Sequence, residues 1–304
     1  MNHCMNKQEE SIYEIFNQCF PQLSIDPCIF LKLLRISECT VLLEAENETV
    51  KGFSILWENN IRLLCVSPEF RGQGIGAKLL FESEEWIRKQ GFRTSILGGV
   101  DSELFLGAII DEHQWHKNET SYFERLGYQA KDRCIEMKLD LKQFQLEAFQ
   151  EKIYPEEISF CYYEGDLDAL LEAVRLVEED WEKYFVLELP IFVAMKQGRV
   201  VGFSILGFDE ETILSDGSNQ VGSIGCVGVI PEARNQGIGL ALVAHGTQEL
   251  KRMGCDISWI HYTYLEQWYG ILGYHTFLKY WFGKKELNLQ NRLSTYSFRP
   301  ALKS

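Results

Sequence analysis

Three short strings recur in the same order along this chain, and they constrain its fold more than any other feature. GFSIL occurs at 52–56 and 202–206, QGIG at 73–76 and 236–239, and LGY at 126–128 and 272–274. The copies lie 150, 163 and 146 residues apart, so loops differ while the order of elements is kept. The second copy has 13 extra residues before its QGIG, and the first has 17 extra between QGIG and LGY. At 304 residues the chain can hold two domains of about 150 residues, each burying its own core.

The elements around these landmarks match copy for copy. In the first, TVLLEAE and VKGFSILWE read as two strands joined by a polar turn at Asn47–Glu48, IRLLCVS as the strand before QGIG, and a helix runs from about Gly74 to Lys89. RTSILG, ETSYFERLG and RCIEMKLDL then read as strand, short helix and strand. The second copy repeats this with IFVAMKQ, VVGFSILGF, GSIGCVGV, a helix from Gly237 to about Met253, DISWIHY, LEQWYGILG and HTFLKYWFG. Alternation of this kind predicts an α/β fold, a mixed sheet covered by helices. The expected division is a first domain over 1–140, a polar helical linker over 141–157 ending near Pro155, and a second domain over 158–304. ISFCYYE (158–164) opens the second domain as a strand, whereas the first opens on the helix SIYEIFNQCF; the tail STYSFR (294–299) could supply the missing edge.

Composition narrows the partners. A net charge of −14 disfavours a phosphate-backbone binder and favours steering of cationic small molecules, so no nucleic-acid partner is expected. No run reaches the ~20 apolar residues of a membrane helix, and MNHCMNKQEE lacks the apolar core of a signal peptide. Those readings imply no membrane partner and a cytoplasmic location. Nine scattered cysteines without a CxxC pair fit reduced thiols, with no structural metal expected; His113 and His116 in DEHQWH are too few for a zinc site.

In both copies Val, Pro, Glu and Arg precede the glycine loop at fixed spacing, and an amphipathic helix follows. Backbone N–H groups at a helix N-terminus form a donor array suited to phosphate, with the helix dipole behind it. A lone GxG reads better as a bare turn, but two copies with shared flanks favour a ligand. Copy two breaks the dinucleotide pattern GxGxxA at Asn235 and Leu240, and neither copy has the Gly-Lys-Ser/Thr of a P-loop.

VSPEFRGQGIGAKLL and VIPEARNQGIGLALV resemble the acyl-coenzyme A loop, R/Q-x-x-G-x-G/A, of the GCN5-related N-acetyltransferases (GNAT family), and FERLGY and WYGILGY resemble its later Y-E-K-x-G-F segment. The resemblance implies two GNAT-like domains in tandem, each with a mixed, splayed central sheet and helices on its faces. It implies acetyl-CoA as cosubstrate. The pyrophosphate would rest on the amides of Arg71, Gly72, Gln73, Gly74, Ile75 and Gly76, and of Arg234, Asn235, Gln236, Gly237, Ile238 and Gly239. The pantetheine arm would pair with the free strand edge at Val66, or at Val227 and Val229.

Acyl transfer to an amine needs a neutral amine, a polarised carbonyl and a proton for the departing thiolate. A backbone N–H near Val66 or Val229 would polarise the carbonyl. The family's usual acid is a tyrosine, which aligns with Tyr269 in copy two and with Phe123 in copy one, where Tyr122 is one residue earlier. His261 and Glu266 are candidates for the base, with Glu210, Glu211 and Asp216 in the inserted loop; singly, each reads as well as a structural histidine or a solvated acid. The leading expectation is an N-acetyltransferase for a small-molecule amine, with catalysis in the second domain. The alternative is a coenzyme-A-binding regulatory module without turnover, and a third reading is the double-fold transferases that add amino acids to peptidoglycan from tRNA, disfavoured by two intact loops and the acidic charge.

Overall fold

The computed structural model describes residues 5–23, 25–34, 39–98, 108–109, 122–149, 157–209 and 212–287. The chain divides into two compact units: unit 1 is Met1–Cys134 with Lys279–Ser304, and unit 2 is Ile135–Leu278.

Unit 1 begins with α1 (Lys7–Cys19), started by a capping box between Asn6 and Glu9, and α2 (Pro27–Leu34). Strands β1 (Thr40–Glu46) and β2 (Thr49–Trp57) form a hairpin whose two turn residues, Asn47 and Glu48, have φ of 46° and 67°. Two successive left-handed residues match the twist of the flanking strands. After β3 (Asn60–Val66), helix α3 (Ile75–Lys89) buries Ile75, Leu79, Leu80 and Ile87 on the stripe that packs against β1, β2 and β3. Then come β4 (Thr94–Leu97), β5 (Ala108–Ile109), α4 (Tyr122–Arg125) and β6 (Gln129–Asp140).

Unit 2 repeats the order with β7 (Ser159–Tyr162), α5 (Leu167–Arg175), β8 (Ile191–Lys196), β9 (Arg199–Phe208), β10 (Val221–Val229), α6 (Ile238–Arg252), β11 (Ile257–Thr263), α7 (Glu266–Gly270) and β12 (His275–Glu286). Helix α6 packs on β8, β9 and β10 as α3 does on their counterparts.

Each sheet is mixed and opens at its parallel pair. β3 pairs with β4 only at Asn60↔Ile96 and Ile61↔Leu97, and β10 with β11 only from Val221↔Ile257 to Ser223↔Trp259. Beyond those residues the strands part, leaving the edges at Val66 and Val229 unpaired on that side.

The units do not follow the expected cut at 141–157. The strand after β4 in unit 1 is the end of β12, with Gly283↔Leu97 through Glu286↔Thr94. The strand after β11 in unit 2 is the end of β6, with Ile257↔Asp140 through Thr263↔Ile135. Each half of the sequence therefore completes the other half's sheet. β6 and β12 have 12 residues each, about 40 Å at ~3.3 Å per residue, long enough to begin in one unit and end in the other. Of the expected linker, residues 141–146 form turns, including Leu141 O accepting from Phe144 N, residues 147–149 are helical, and residues 150–156 lie outside the described residues. Strand β7 pairs with the outer side of β8, as ISFCYYE suggested, while the tail 294–299 lies outside the described residues. Among the described residues no helix is long and apolar enough to cross a membrane.

The repeated LGY has a packing role. Gly127 and Gly273 end their short helices at φ of 94° and 92°, a region only glycine enters readily. The following tyrosines are buried: Tyr128 shares a 2.7 Å hydrogen bond with Ser95, and Tyr274 bonds Ser258 at 2.6 Å and Thr247 at 2.8 Å.

Candidate active site

The two glycine loops have nearly the same backbone. Gly74 and Gly237, the residues just before α3 and α6, have φ/ψ of 84°/−3° and 77°/−3°. Gly72 has φ of 76°, and Asn235 in its place reaches 62°, asparagine being the side chain that best tolerates the left-handed region. Arg71 Nε donates to Val66 O at 3.1 Å, and Arg234 Nε to Val229 O at 3.1 Å. Gln73 and Gln236 donate to the carbonyls of Glu69 and Glu232 at 3.4 Å and 3.3 Å. The first helical backbone bonds reach back to Gly74 and Gly237, from Lys78 and Ala241. Among the described residues the amides of 72–77 and 235–240 have no partner, so each loop presents a row of donors fit for a phosphate.

What surrounds the loops differs. In unit 1 the loop borders a cavity of about 660 Å³ lined by Leu64, Val66, Gly74, Ile75, Leu97 and Tyr122, among others. A methyl group added at Gly76 would lie 3.3 Å from the Tyr122 hydroxyl and 3.6 Å from Val66, so the phenol stands over the helix start at the open strand edge. At Gly239 of unit 2 the same methyl would lie 3.3 Å from both Val229 and the Trp268 indole.

Unit 2 differs in its strand irregularities and in its buried polar side chains. Between Gly225↔Ile205 and Gly228↔Phe203, Cys226 and Val227 oppose the single residue Ser204, and Cys226 has φ of 49°. This bulge takes β10 out of regular pairing just before Val229. In β3 the irregularity is earlier, at Arg62, and Leu63 to Val66 pair regularly with β2. Tyr269 is 6% exposed, and burial, with nearby Tyr274, holds its phenol well above the ordinary tyrosine range. A phenol so placed keeps its proton near pH 7. The aligned Phe123 packs edge-on against Tyr128 and Trp281.

His261 lies in a second bulge, where His261 and Tyr262 together oppose Glu136 of β6. The Glu136 side chain is fully buried; its Oε2 accepts from Trp259 Nε1 at 2.7 Å and lies 2.8 Å from His261 Nδ1, and its Oε1 accepts from Tyr262 N at 3.0 Å. A carboxylate on Nδ1 holds that nitrogen protonated and leaves Nε2 as the acceptor. Close by, Asp209 at the end of β9 is pushed up by burial, against the opposing effects of the Ser223 hydroxyl and His261, and its Oδ2 is buried without a hydrogen-bond partner.

Of the other candidates, Glu266 accepts from the Thr276 hydroxyl at 2.8 Å on the exposed side of α7. Asp216 organises a turn, accepting from the amides of Ser218 and Asn219 at 2.9 Å and 3.0 Å, which lowers its carboxyl. Glu210, Glu211, His113 and His116 lie outside the described residues. Glu136 and Asp209 were not singled out from the sequence. In RCIEMKLDL, Glu136 alternates with Lys138 and Asp140 and reads as solvent-facing; only its transfer into unit 2 buries it. Asp209 had a signal, since it opens the acidic run with Glu210 and Glu211.

Twin glycine loops, each leading into a helix on a splayed mixed sheet, define a tandem α/β fold. Residues 37–130 match the acetyltransferase (GNAT) domain and residues 150–269 the acetyltransferase (GNAT) family, so the chain belongs to the GNAT family with two such domains in tandem. Members generally use acetyl-CoA. Solved structures agree in fold. A GCN5-related glucosamine N-acetyltransferase region of a fungal multi-domain β-N-acetylglucosaminidase is 23% identical with a TM-score of 0.71, covering 91% of this chain and 37% of that one. A GCN5-related N-acetyltransferase from Sphaerobacter thermophilus is 18% identical with a TM-score of 0.62, over 93% of this chain and 94% of that one. A tandem GNAT protein from the clavulanic acid biosynthesis pathway is 14% identical with a TM-score of 0.59, over 93% and 94%. No curated protein sequence matches the chain.

Proposed function

We propose that the protein transfers an acetyl group from acetyl-CoA to the amine of a small molecule, and that unit 2 carries the chemistry. The observation that carries this reading is the gathering of Tyr269, His261, Glu136 and Asp209 in the unit that also has the bulged strand and an intact loop. Bound at that loop, acetyl-CoA supplies an activated thioester. The amides of Asn235 to Leu240 receive its pyrophosphate, the Arg234 amide being donated to Pro231 O instead, and a backbone N–H near the bulge at Cys226–Val227 polarises the carbonyl. His261 Nε2, its imidazole oriented by Glu136, removes a proton from the attacking ammonium, which Asp209 helps to hold. Tyr269 gives its proton to the departing thiolate. The net charge of −14 favours approach of a cation.

A second reading concerns unit 1 alone. Its loop and apolar cavity suit coenzyme binding, but Phe123 stands at the acid position and Gly98 aligns with His261, so unit 1 binds without transferring. The test is release of free thiol from acetyl-CoA with a panel of small amines, glucosamine included because it is named for the fungal relative, run beside a calorimetric count of coenzyme sites. Amine-dependent thiol release that His261→Asn removes supports transfer by unit 2. Coenzyme binding with no amine accelerating release overturns it in favour of the binding module.

A further inference from the structure

Three glycines lie in β10, and packing accounts for two of them. A methyl group added at Gly228 would strike the Phe203 ring, and one at Gly222 would lie 2.8 Å from Cys255 Sγ and from Leu250. At Gly225 it would meet nothing within 4 Å. The backbone does not ask for glycine there either: Gly225 lies outside the left-handed region, and the left-handed residue of the bulge is Cys226. Glycine inside a strand weakens it, and it often marks a place where another group comes close to the backbone.

The open space lies on a definite face. Ile224 and Leu206 pack toward Gly246 of α6, so Ser223 and Gly225 point the other way, as do their pairing partners Gly207 and Ile205 in β9. These four are half-buried, whereas Ile224 and Leu206 are buried. Trp259 pairs with Ser223 and shares that face, with the His261 ring centred 4.6 Å from its own. At Gly207 an added methyl would strike the Ser223 hydroxyl and lie 3.2 Å from both Asp209 carboxylate oxygens, so this glycine makes room for the carboxylate. Beside the strip, the chain entering β8 exposes Val186, Leu187 and Leu189, and its Pro190 O accepts from Leu206 N at 2.9 Å. In unit 1 the same strip is filled. Leu63, fully buried, opposes Ile55 as Gly225 opposes Ile205, and Trp57 stands in the place of Gly207.

We propose that Gly225 is the specificity-determining position of an acceptor pocket in unit 2, and that the acceptor is a primary amine on an apolar alkyl or aryl body. The body lies on Gly225 and Ile205 and runs toward Val186–Leu189, and the ammonium faces Asp209 and His261. A polyhydroxylated amine would set hydroxyls against Ile205 and these apolar side chains, with a desolvation cost. This inference rests on the reading of unit 2 as the transferring unit and names the class of its acceptor.

The test measures calorimetric binding of 2-phenylethylamine to the full chain saturated with coenzyme A, beside thiol release from acetyl-CoA. The wild type is expected to bind this amine and to prefer it to glucosamine. Gly225→Leu should lose amine binding and keep its coenzyme affinity, because the added side chain enters free space. Gly225→Ala, a smaller addition, should raise KM for 2-phenylethylamine with kcat held. Amine binding that Gly225→Leu removes, with no thiol release by the wild type, would leave the pocket standing and overturn the transfer reading. Equal amine-dependent thiol release by wild type and Gly225→Leu would do the reverse. Failure of the wild type to bind 2-phenylethylamine, a preference for glucosamine, or a matching loss of coenzyme affinity in Gly225→Leu overturns the proposal.

Discussion

Units 1 and 2 have the same loop and opposite surroundings. The loop backbones agree at Gly74 and Gly237 to within a few degrees, down to the Arg71 and Arg234 bonds at 3.1 Å. Phosphate binding asks only for backbone donors at a helix start, and these survive any change of neighbouring side chains. Proton transfer asks for particular side chains, and those differ: Tyr269 against Phe123, His261 against Gly98, Asp209 against Asn59. The exchanged strands show the same contrast. β6 brings Glu136 to His261 in unit 2, while β12 brings Lys285 to Glu84 in unit 1, with Nζ 2.8 Å and 2.9 Å from the carboxylate oxygens. The first contact orients the ring proposed as the base; the second neutralises a buried charge.

The sharpest break of this comparison is at the acid. Tyr269→Phe is expected to lower kcat by about 10²–10⁴-fold with coenzyme affinity nearly unchanged, the range of a general acid. Tyr122→Phe should leave steady-state turnover as it was. A reversal of the two rates would move the chemistry into unit 1.

Next comes the charge pair of unit 1. The side chains of Lys285 and Glu84 are 11% and 4% exposed, and burial raises the Glu84 carboxyl against the pull of Lys285. Removing one partner of a buried pair leaves the other uncompensated, so Lys285→Met should lower stability by about 3–5 kcal/mol in urea unfolding. Glu84→Gln in the same chain should restore part of it. Thr247 stands where Glu84 stands, so unit 2 has no equivalent charge to strand.

The orienting carboxylate should show a smaller effect. Glu136→Gln keeps the shape but not the acceptor pair for Trp259, His261 and Tyr262, and a loss of about 10²-fold in kcat is expected, within the range for acid–base groups. The pH–rate profile must shift with it if Glu136 acts through His261. A profile unchanged beside a lowered melting temperature would make Glu136 structural only.

The smallest effect separates function from stability at one residue. Burial raises Asp209 in the folded protein, so folding favours its protonated form. That contribution is present below the unfolded carboxyl value, fades as pH rises through the folded one, and leaves a net penalty at neutral pH relative to a neutral side chain. Asp209→Asn should therefore melt higher than the wild type at neutral pH and converge with it in acid, while raising KM for a cationic amine. A lower melting temperature for the variant at neutral pH would count against the raised value.

Much of this was legible because it is local. Glycine at a helix start, the turn at Asn47–Glu48 and the period of the helix after QGIG depend on neighbours in sequence, so loops, hairpins and helices fell within a few residues of expectation. Tyr269 was picked out by its spacing from Gly273, and its role stands as a proposal. Glu136 was not, because alternation assigns it a face but not a sheet.

The sequence by itself determined that the fold is doubled, that each copy is an α/β unit, and that each has a glycine loop opening a helix, since these follow from short-range periodicity and backbone freedom. Tertiary structure alone decided where the last strand of each copy goes. That choice depends on which sheet edge a 12-residue strand can reach and bury against, a non-local competition that no window of sequence encodes. It set Glu136 against His261 and Lys285 against Glu84, pairs 125 and 201 residues apart in sequence, held together by packing.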